Sequence, residues 1–411
     1  MRSSVRVAHI ITRMIIGGAQ ENTLFNCLDL IEHHDDEVML ITGPALGPEG
    51  DLLERAGFFG DQSNFRGRAG ELTIELLPKF RRNINPYYDW SASRAIRETL
   101  YRFQPDVVHT HSAKGGLLGR RIAWSLNVPA VIHSVHGAPF HEFQSRLARE
   151  FFLRCERHAA GRCHHMISVA DAMTDLMVDA GVASREQFTT IYSGMDVEPF
   201  LAANQHRQDV RDKYQIAPDR IVIGKIARLF HLKGHDDLVT AAVPVIRKCP
   251  HVVFLLVGDG ILRDTLADRI ESLGISEHFI FTGLVSPDKV PALIGAMDIL
   301  VHTSLREGLA RALPQALIAG KPAVSYDIDG AKEVVISGQT GDLIPPRDTA
   351  ALSESLIRLA EDEPLRNRLG AEGQRRFTDQ FRHETMTRQI REIYRQTLDQ
   401  SQSSARSGNS R

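Results

Sequence analysis

The feature that most constrains the fold is a recurrence of short, continuous apolar runs separated by stretches with a helical pattern. The runs are rich in β-branched residues and lack polar alternation, which indicates strands buried on both faces, as in parallel sheets. They are Val5–Ile11, Glu37–Thr42, Thr73–Leu77, Val107–Thr110, Ala130–Val135, Met166–Val169 and Thr189–Tyr192 in the first half, and Ile221–Ile226, Val252–Val257, Phe279–Thr282, Ile299–His302, Ala323–Tyr326 and Asp342–Ile344 in the second. Alternation with helices predicts an α/β protein with two doubly wound units.

The length of 411 residues also favours two domains, because a single core rarely grows so large. The chain is polar and irregular near 196–220, so we predict a first domain over 1–196 and a second over 197–376. A last amphipathic helix is expected over about 377–398, and 401–411 is expected to be disordered. The apolar residues assigned to one face of this helix are Phe377, Phe381, Met386, Ile390, Ile393 and Leu398.

Charge and hydropathy exclude several classes of protein. A formal net charge of -2 gives no basic field for nucleic acid. No run of about eighteen apolar residues predicts a spanning helix, and the first residues do not resemble a signal peptide, so a cytoplasmic location is expected. Basic and aromatic residues mix in Lys79–Trp90 and Arg146–Arg162. They are compatible with peripheral contact at the inner face of a membrane, or with ordinary solvated helices.

The four cysteines show no paired spacing. A metal site could recruit a cluster of cysteines and histidines, but this region also reads as an amphipathic helix that leads into a buried strand. Reduced structural thiols are the favoured interpretation, and no metal or other cofactor is expected. The residues of the alternative metal site are Cys155, His158, Cys163, His164 and His165.

Two candidate cations follow the run Ile221–Ile226: Arg228, and Lys233 directly before Gly234. Ligands of doubly wound sheets bind outside the carboxyl ends of the strands, which is where these residues are expected. A guanidinium and an ammonium group that converge on a pyrophosphate would hold it and offset the charge that builds as it leaves. The alternative is a pair of solvated surface cations.

A glycine turn, Gly258-Asp259-Gly260, ends the run Val252–Val257. Glycine lets the backbone turn tightly and approach a ligand, although the same short motif fits a plain strand-to-helix turn. It is not the six-residue dinucleotide fingerprint, so NAD is not inferred.

Glu307 follows the run Ile299–His302 and is a candidate ligand of sugar hydroxyls. Its carboxylate could accept two hydrogen bonds, with help from N–H groups at a helix start; the alternative is an acid that only stabilises the helix dipole. Eight positions later, the amide of Gln315 could reach ribose hydroxyls from within the following helix. The loop residues assigned to the same site are Gly308, Leu309 and Ala310.

The first half contributes a glycine loop and a histidine. Gly17 and Gly18 open a helix after the first strand, where they could approach a phosphate or simply cap the helix. His136 follows the run Ala130–Val135, where two doubly wound domains that face each other would form a cleft, and it could bond a sugar hydroxyl or the leaving phosphate. His109 and His111 lie near another strand end and are interpreted as packing or supporting residues.

Taken together, these stretches resemble the family-4 retaining glycosyltransferases of GT-B fold over nearly the whole chain. The stretches that carry the resemblance are Gly17 to Gln20, Pro105 to His111, Ser134 to Gly137, Ile191 to Asp196, Arg228 with Lys233-Gly234, Gly258 to Gly260, and Glu307 through Pro322. The resemblance implies two Rossmann-like domains facing across a cleft, of which the first binds the acceptor and the second binds the nucleotide sugar. It also implies that the last helix crosses back onto the first domain. It also implies metal-independent transfer of a hexose-type sugar from a UDP- or GDP-sugar, with retention at the anomeric carbon.

By this resemblance Arg228 and Lys233 hold the diphosphate, Glu307 holds the donor sugar and His136 lies beside the hexose. The acceptor would be a glycan or lipid-linked sugar of a cell-surface polysaccharide or glycoconjugate. One departure is Gln315, where the family has a second Glu. Gln keeps an acceptor oxygen but loses the charge, so weaker ribose binding is expected rather than inactivity. The alternatives left open are a nucleotide-sugar epimerase of the same fold and a non-catalytic nucleotide-sugar-binding protein.

Overall fold

A computed structural model describes residues 4–46, 50–58, 72–141 and 144–408, with side chains to 403. The chain forms two compact units. The first comprises Met1–Met195 with Arg382–Arg411, and the second comprises Asp196–Phe381. The second unit therefore ends a little later than the predicted boundary at 376.

In the first unit, the described residues form a parallel sheet of seven strands in the order β3-β2-β1-β4-β5-β6-β7. The strand order reverses between β1 and β4, which is the switch point where doubly wound sheets bind ligands. The strands are β1 (Arg6–Ile11), β2 (Glu37–Thr42), β3 (Thr73–Leu76), β4 (Val107–His111), β5 (Ala130–Val135), β6 (His165–Ser168) and β7 (Phe188–Thr190). The helices are α1 (Gly18–His34), α2 (Leu52–Arg55), α3 (Pro86–Phe103), α4 (Ala113–Ser125), α5 (Arg146–Ala160) and α6 (Asp171–Asp179).

The described second unit contains a parallel sheet of six strands in the order β10-β9-β8-β11-β12-β13, with its switch point between β8 and β11. The strands are β8 (Ile221–Ile226), β9 (Val252–Val257), β10 (Phe279–Gly283), β11 (Ile299–His302), β12 (Ala323–Tyr326) and β13 (Gly341–Ile344). The helices are α7 (Glu198–Leu201), α8 (Arg207–Lys213), α9 (His235–Lys248), α10 (Arg263–Ser272), α11 (Val290–Ala296), α12 (Ala312–Ile318), α13 (Thr349–Glu361) and α14 (Glu363–Phe377). The chain then returns to the first unit as α15 (His383–Gly408).

The sheet of the first unit is covered on both faces, which explains its continuous apolar strands. Along β1, Val7 and Ile11 join the core under α1 and α15, whereas Ala8 and Ile10 join the core under α3 and α4. The predicted α/β class and the positions of the strand runs are confirmed to within one or two residues at each end.

Two predictions about the C-terminal segment are wrong. The expected single helix is broken between Phe377 and His383. Phe377 and Phe381 stay in the second unit, with ring centroids 6.2 Å apart, whereas Arg382 pairs with Met195 in the first. The apolar spacing hid this break because intervals of four and five residues, which fit one face of a helix, continue across it.

The predicted disorder of the tail is wrong for residues 401–408, because α15 continues to Gly408. Residues 409–411 lie outside the described part. Adding turns to an existing helix is easier than nucleating one, and Gln, Ala and Arg are good helix formers. No helix in the described part of the chain is both long and apolar enough to cross a bilayer.

Candidate functional site

Arg228 lies in the loop after β8, beside the switch point of the second sheet. Its side chain is exposed, and its guanidinium stands over the ring of Phe230, 5.0 Å from the centroid. The backbone N–H of Leu229 donates to the carbonyl of Asp259 at 2.9 Å, so this loop is bonded to the glycine turn after β9. Arg228 and the glycine turn therefore lie at the same edge of the sheet.

Lys233, at the end of the same loop, forms an ion pair with Glu307 from the loop after β11. The two side chains are only 21% and 25% exposed, so the pair is shielded but still reachable from solvent. The backbone N–H of Glu307 donates to Asp329 Oδ2 at 2.6 Å, which ties its loop to the one after β12. A lysine ammonium and a carboxylate therefore meet at the carboxyl ends of the two strands that flank the switch point.

Two glycines let these loops approach each other. Gly234 has a φ of 62°, and a Cβ there would lie 1.9 Å from the carbonyl oxygen of Thr303. Gly258 has a φ of 134°, and its Cβ would lie 2.2 Å from the carbonyl oxygen of Ala227. Any other residue would strain the backbone and push the loops apart.

The structure corrects the expected environment of Glu307. The next helix, α12, begins at Ala312, so Glu307 is a loop residue and not a helix-start acid. Gln315 lies within α12, as the sequence predicted, and it is half-buried. Between them, the carbonyl of Gly308 accepts from the N–H of Gly330 at 3.0 Å, Leu309 is half-buried, and Ala310 is buried.

Below the Lys233–Glu307 pair lies a buried polar layer that sequence reasoning missed. Lys225 in β8 donates to Thr303 Oγ1 at 2.6 Å. Burial, with a further contribution from Lys233, lowers the pKa of Lys225 to about 7. His302 is also buried, 3.9 Å from Glu307, and neither of its ring nitrogens has a hydrogen-bond partner among the described residues. A lysine inside an apolar strand was the one available signal, because charged side chains seldom occupy such positions unpaired.

In the first unit, Gly17 caps α1 and Gly18 is its first residue. The φ of Gly17 is 177°, which is extended backbone open to any residue, so this glycine is not required by conformation. The carbonyl of Gly17 accepts from the N–H of Glu21 at 2.9 Å, as in an ordinary helix start. Both glycines therefore lie at the start of α1, and their contact with a phosphate or the acceptor stays a prediction.

His136 follows β5 and lines a cavity of about 280 Å³ in the first unit, together with Ala19 from the start of α1. Burial lowers the pKa of His136 to about 4, so its imidazole is neutral near neutral pH. Its Nε2 lies 3.1 Å from Nδ1 of His111. The structure thus places His136 and Gly18 in the first unit. The residues predicted to bind the diphosphate and the sugar, Arg228, Lys233 and Glu307, lie in the second.

The alternative cysteine–histidine metal site does not form. Among the described residues, the acidic, histidine and cysteine groups close enough to share an ion are His9, His109 and His111. Cys163 instead donates to the carbonyl of His165 at 3.0 Å, and His165 bonds Thr189 at 2.8 Å.

Comparison with known proteins bears on the identity of this fold and site. The family model described as Glycosyltransferase Family 4 matches residues 20–199, and the one described as Glycosyl transferases group 1 matches 206–376. The UDP-Gal:alpha-D-GlcNAc-diphosphoundecaprenol alpha-1,3-galactosyltransferase of Escherichia coli is 25% identical over 88% of this chain and 90% of its own. The capsular polysaccharide biosynthesis glycosyltransferase CapM of Staphylococcus aureus is 21% identical over 80% and 85%.

Solved structures share the fold over nearly their full length. Anabaena HepE, in complex with UDP and glucose, superposes with a TM-score of 0.76 and 22% identity, over 95% of this chain and 99% of that one. Sucrose-phosphate synthase from Thermosynechococcus elongatus gives a TM-score of 0.79 and 18% identity, over 96% and 99%. With family models matched on both halves, the chain belongs to glycosyltransferase family 4 and is a glycosyltransferase of GT-B fold.

Proposed function

We propose that this enzyme transfers a hexose-type sugar from a nucleoside diphosphate sugar to a glycan or lipid-linked acceptor, with retention at the anomeric carbon. UDP-sugars are the first donors to test and GDP-sugars the second. The name of the Escherichia coli relative includes UDP-Gal, and HepE was crystallised with UDP. The observation that carries the proposal is the contact of Lys233 with Glu307 beside the second sheet's switch point.

The charges at this edge suit a sugar diphosphate. Without ligand, Glu307 neutralises Lys233; with ligand, a pyrophosphate would take the ammonium and release the carboxylate for sugar hydroxyls. Arg228 adds a second cation, already held over Phe230. Two cations would stabilise the leaving diphosphate as its charge develops, so we propose that no metal ion is needed for the transfer.

We propose that the acceptor is used in the synthesis of a cell-surface polysaccharide or related glycoconjugate. Two of the relatives are named for such roles, a diphosphoundecaprenol galactosyltransferase and a capsular polysaccharide biosynthesis enzyme. Because lipid-linked acceptors sit in a bilayer, we also propose peripheral contact with the inner face of the membrane. Exposed apolar residues on α3 and α5 support it: Tyr87, Trp90, Leu147 and Phe151 are 58%, 63%, 87% and 53% exposed.

The donor site is tested by thermal shift and calorimetry with UDP, GDP and ADP and their sugar conjugates, with and without chelator. We expect a shift with one nucleotide that chelator does not change. Lys233→Ala and Arg228→Ala should each weaken binding by about 10- to 100-fold, the loss expected for one charge-assisted hydrogen bond. Lys248→Ala is the matched control, since Lys248 pairs with Glu361 at 3.7 Å at the other end of α9. Flat curves for every nucleotide would overturn the donor assignment.

Product analysis separates transfer from the other two hypotheses. Release of nucleoside diphosphate with an α-linked product from an α-linked donor supports retaining transfer. An altered sugar still bound to the nucleotide would show an epimerase. Tight nucleotide binding with no turnover of any donor would show a binding protein, with Gln315 as the first residue to restore to Glu.

A further inference from the structure

Three histidines of the first unit form a hydrogen-bonded chain that climbs across three neighbouring strands. His9 of β1 is paired in register with His109 of β4, and His111 lies two residues further along that strand. His111 is paired with Ser134 of β5, and His136 lies two residues beyond Ser134. Because side chains two residues apart share a face of a sheet, each step leads towards the carboxyl ends of the strands and the cavity.

The ring nitrogens along this chain are matched. Nδ1 of His9 lies 3.0 Å from Nε2 of His111, and Nδ1 of His111 lies 3.1 Å from Nε2 of His136. At the inner end, Nε2 of His9 is buried and has no partner among the described residues. At the outer end, His136 lines the cavity of about 280 Å³.

All three rings are neutral near pH 7, because burial lowers the pKa of His9 to about 3, of His136 to about 4, and of His111 well below its usual value. A neutral imidazole has one N–H donor and one acceptor nitrogen. The N–H groups of the three rings can therefore all point outwards to the cavity or all point inwards to His9. A change from one direction to the other changes the tautomer of all three rings.

The inner end decides between these directions. If the donors pointed inwards, the buried Nε2 of His9 would carry an N–H with no acceptor. If they point outwards, it carries only a lone pair. Orphaned buried donors are rarer in proteins than under-satisfied acceptors, so the outward direction costs less.

We propose that His111, oriented by a hydrogen bond from His9, is a positioning residue that holds His136 in the Nδ1–H tautomer. His136 then presents the cavity with a hydrogen-bond donor, suited to an oxygen of a sugar hydroxyl or a phosphate. The identity of that ligand rests on the proposed function, whereas the tautomer does not.

The tautomer is read directly by long-range ¹H–¹⁵N spectra of histidine-labelled full-length protein, with His136 assigned from its absence in His136→Gln. We expect a protonated Nδ1 and an unprotonated Nε2 on His136 at pH 7.5. A protonated Nε2 on His136 would overturn the proposal. Loss of these signals on addition of Zn²⁺, with stoichiometric binding at His9, His109 and His111, would also overturn it by showing a metal site.

A matched pair of variants tests the role of His111. Asn and Leu have similar shapes, but only Asn can replace the donor at Nδ1. His111→Asn should keep the His136 tautomer and reduce the kcat of donor turnover by no more than about twofold. His111→Leu should give a mixture of tautomers and lower kcat by about tenfold, the equivalent of one neutral hydrogen bond.

His165→Gln is the control for loss of a histidine from the same sheet, since His165 of β6 bonds Thr189 and lies outside the chain. It should leave the His136 signals unchanged. Equal spectra in His111→Asn and His111→Leu would contradict the positioning role even if both variants are active. An unchanged tautomer in an enzyme that turns over no donor would count against the proposed function alone.

Discussion

At the residue scale, Gln315 is the position where this chain differs in charge from the family pattern that it otherwise resembles. It is half-buried in α12, a short helix that begins after the Glu307 loop. A carboxylate at this place would accept a stronger hydrogen bond from ribose than an amide oxygen does.

Gln315→Glu is therefore expected to tighten binding of the nucleotide by about 5- to 30-fold, because a charged hydrogen bond is worth about 1–2 kcal/mol more than a neutral one. Isothermal titration with UDP or the base found by thermal shift measures this. Gln315→Ala serves as the control for loss of the side chain and should weaken binding. Equal nucleotide affinities of the native protein and of Gln315→Glu would show that Gln315 does not bind the ribose.

Lys225 should make the stability of the second unit depend on pH. Its folded pKa is about 7, lowered first by burial, whereas an unfolded lysine titrates near 10.4. Between about pH 7 and 10 the unfolded chain binds more protons, so the free energy of unfolding rises with pH by up to about 1.4 kcal/mol per unit. Lys225→Met lacks this pH dependence, so its free energy of unfolding should exceed that of the native protein most at pH 6. Denaturant unfolding at pH 6, 7.5 and 9 measures it, and a constant difference would contradict the buried titration. Lys248→Met, at an exposed site, should show no such pattern.

At the element scale, the donor site depends on loops that only glycine lets close. Gly234 and Gly274 have similar positive φ values of 62° and 69°, but a Cβ at Gly274 would meet nothing within 4 Å. Gly274→Ala introduces backbone strain alone and should lower the free energy of unfolding by about 1 kcal/mol. Gly234→Ala adds a clash with the Thr303 carbonyl and should lower Tm further and abolish the nucleotide-induced shift. Similar effects of the two substitutions would show that the close approach is unimportant.

The helix α15 completes the core of the first unit. Met386, Ile390 and Tyr394 are fully buried against the sheet, and His383 and Thr387 both bond Asp29 of α1, at 2.9 and 2.8 Å. Removal of these residues would expose one face of a sheet that is apolar on both.

We therefore expect truncation after Arg382 to prevent native folding of the first unit. Near-UV circular dichroism and limited proteolysis would show this as lost tertiary signal and rapid cleavage before Met195. Truncation after Gln402 is the control and should be harmless, because the last buried residue among the described side chains of α15 is Thr397. A protease-resistant first unit without α15 would contradict the prediction.

At the scale of the whole molecule, buried histidines should make the first unit the more acid-sensitive of the two. Among the described residues, burial places the pKa of five histidines of the first unit, and of two in the second, far below the usual value. They are His9, His109, His111, His133 and His136 in the first unit, and His235 and His302 in the second.

Unfolded histidine titrates near 6.5, so below that pH the unfolded chain binds more protons and each such histidine removes up to about 1.4 kcal/mol of stability per pH unit. Hydrogen exchange at pH 7.5 and 5 should therefore show a greater loss of protection in β1, β4 and β5 than in β8, β9 and β11. Equal losses in the two sheets would contradict this. Replacement of His111 by Asn should reduce the loss of protection in the first unit between pH 7.5 and 5.

The fold was readable from the sequence because its signals are local. A strand buried on both faces must be apolar along its length, so runs such as Ala130–Val135 and Val252–Val257 appear with their bounds unchanged in the structure. The positions of Arg228, Lys233, Glu307 and His136 at strand ends followed from the same runs, because parallel strands carry their ligand-binding loops at one edge.

What the sequence by itself determined is therefore the α/β class, the strand positions and the residues that follow each strand. Tertiary structure alone decided which of those residues meet. Lys233 and Glu307 are 74 positions apart, and only the order of β8 and β11 in the sheet brings them into contact. The chain of His9, His111 and His136 depends on strand register, and the break before α15 depends on which core each apolar residue joins. The physical reason is that burial of a strand is recorded residue by residue, whereas contacts between strands depend on pairings to which every part of the sheet contributes.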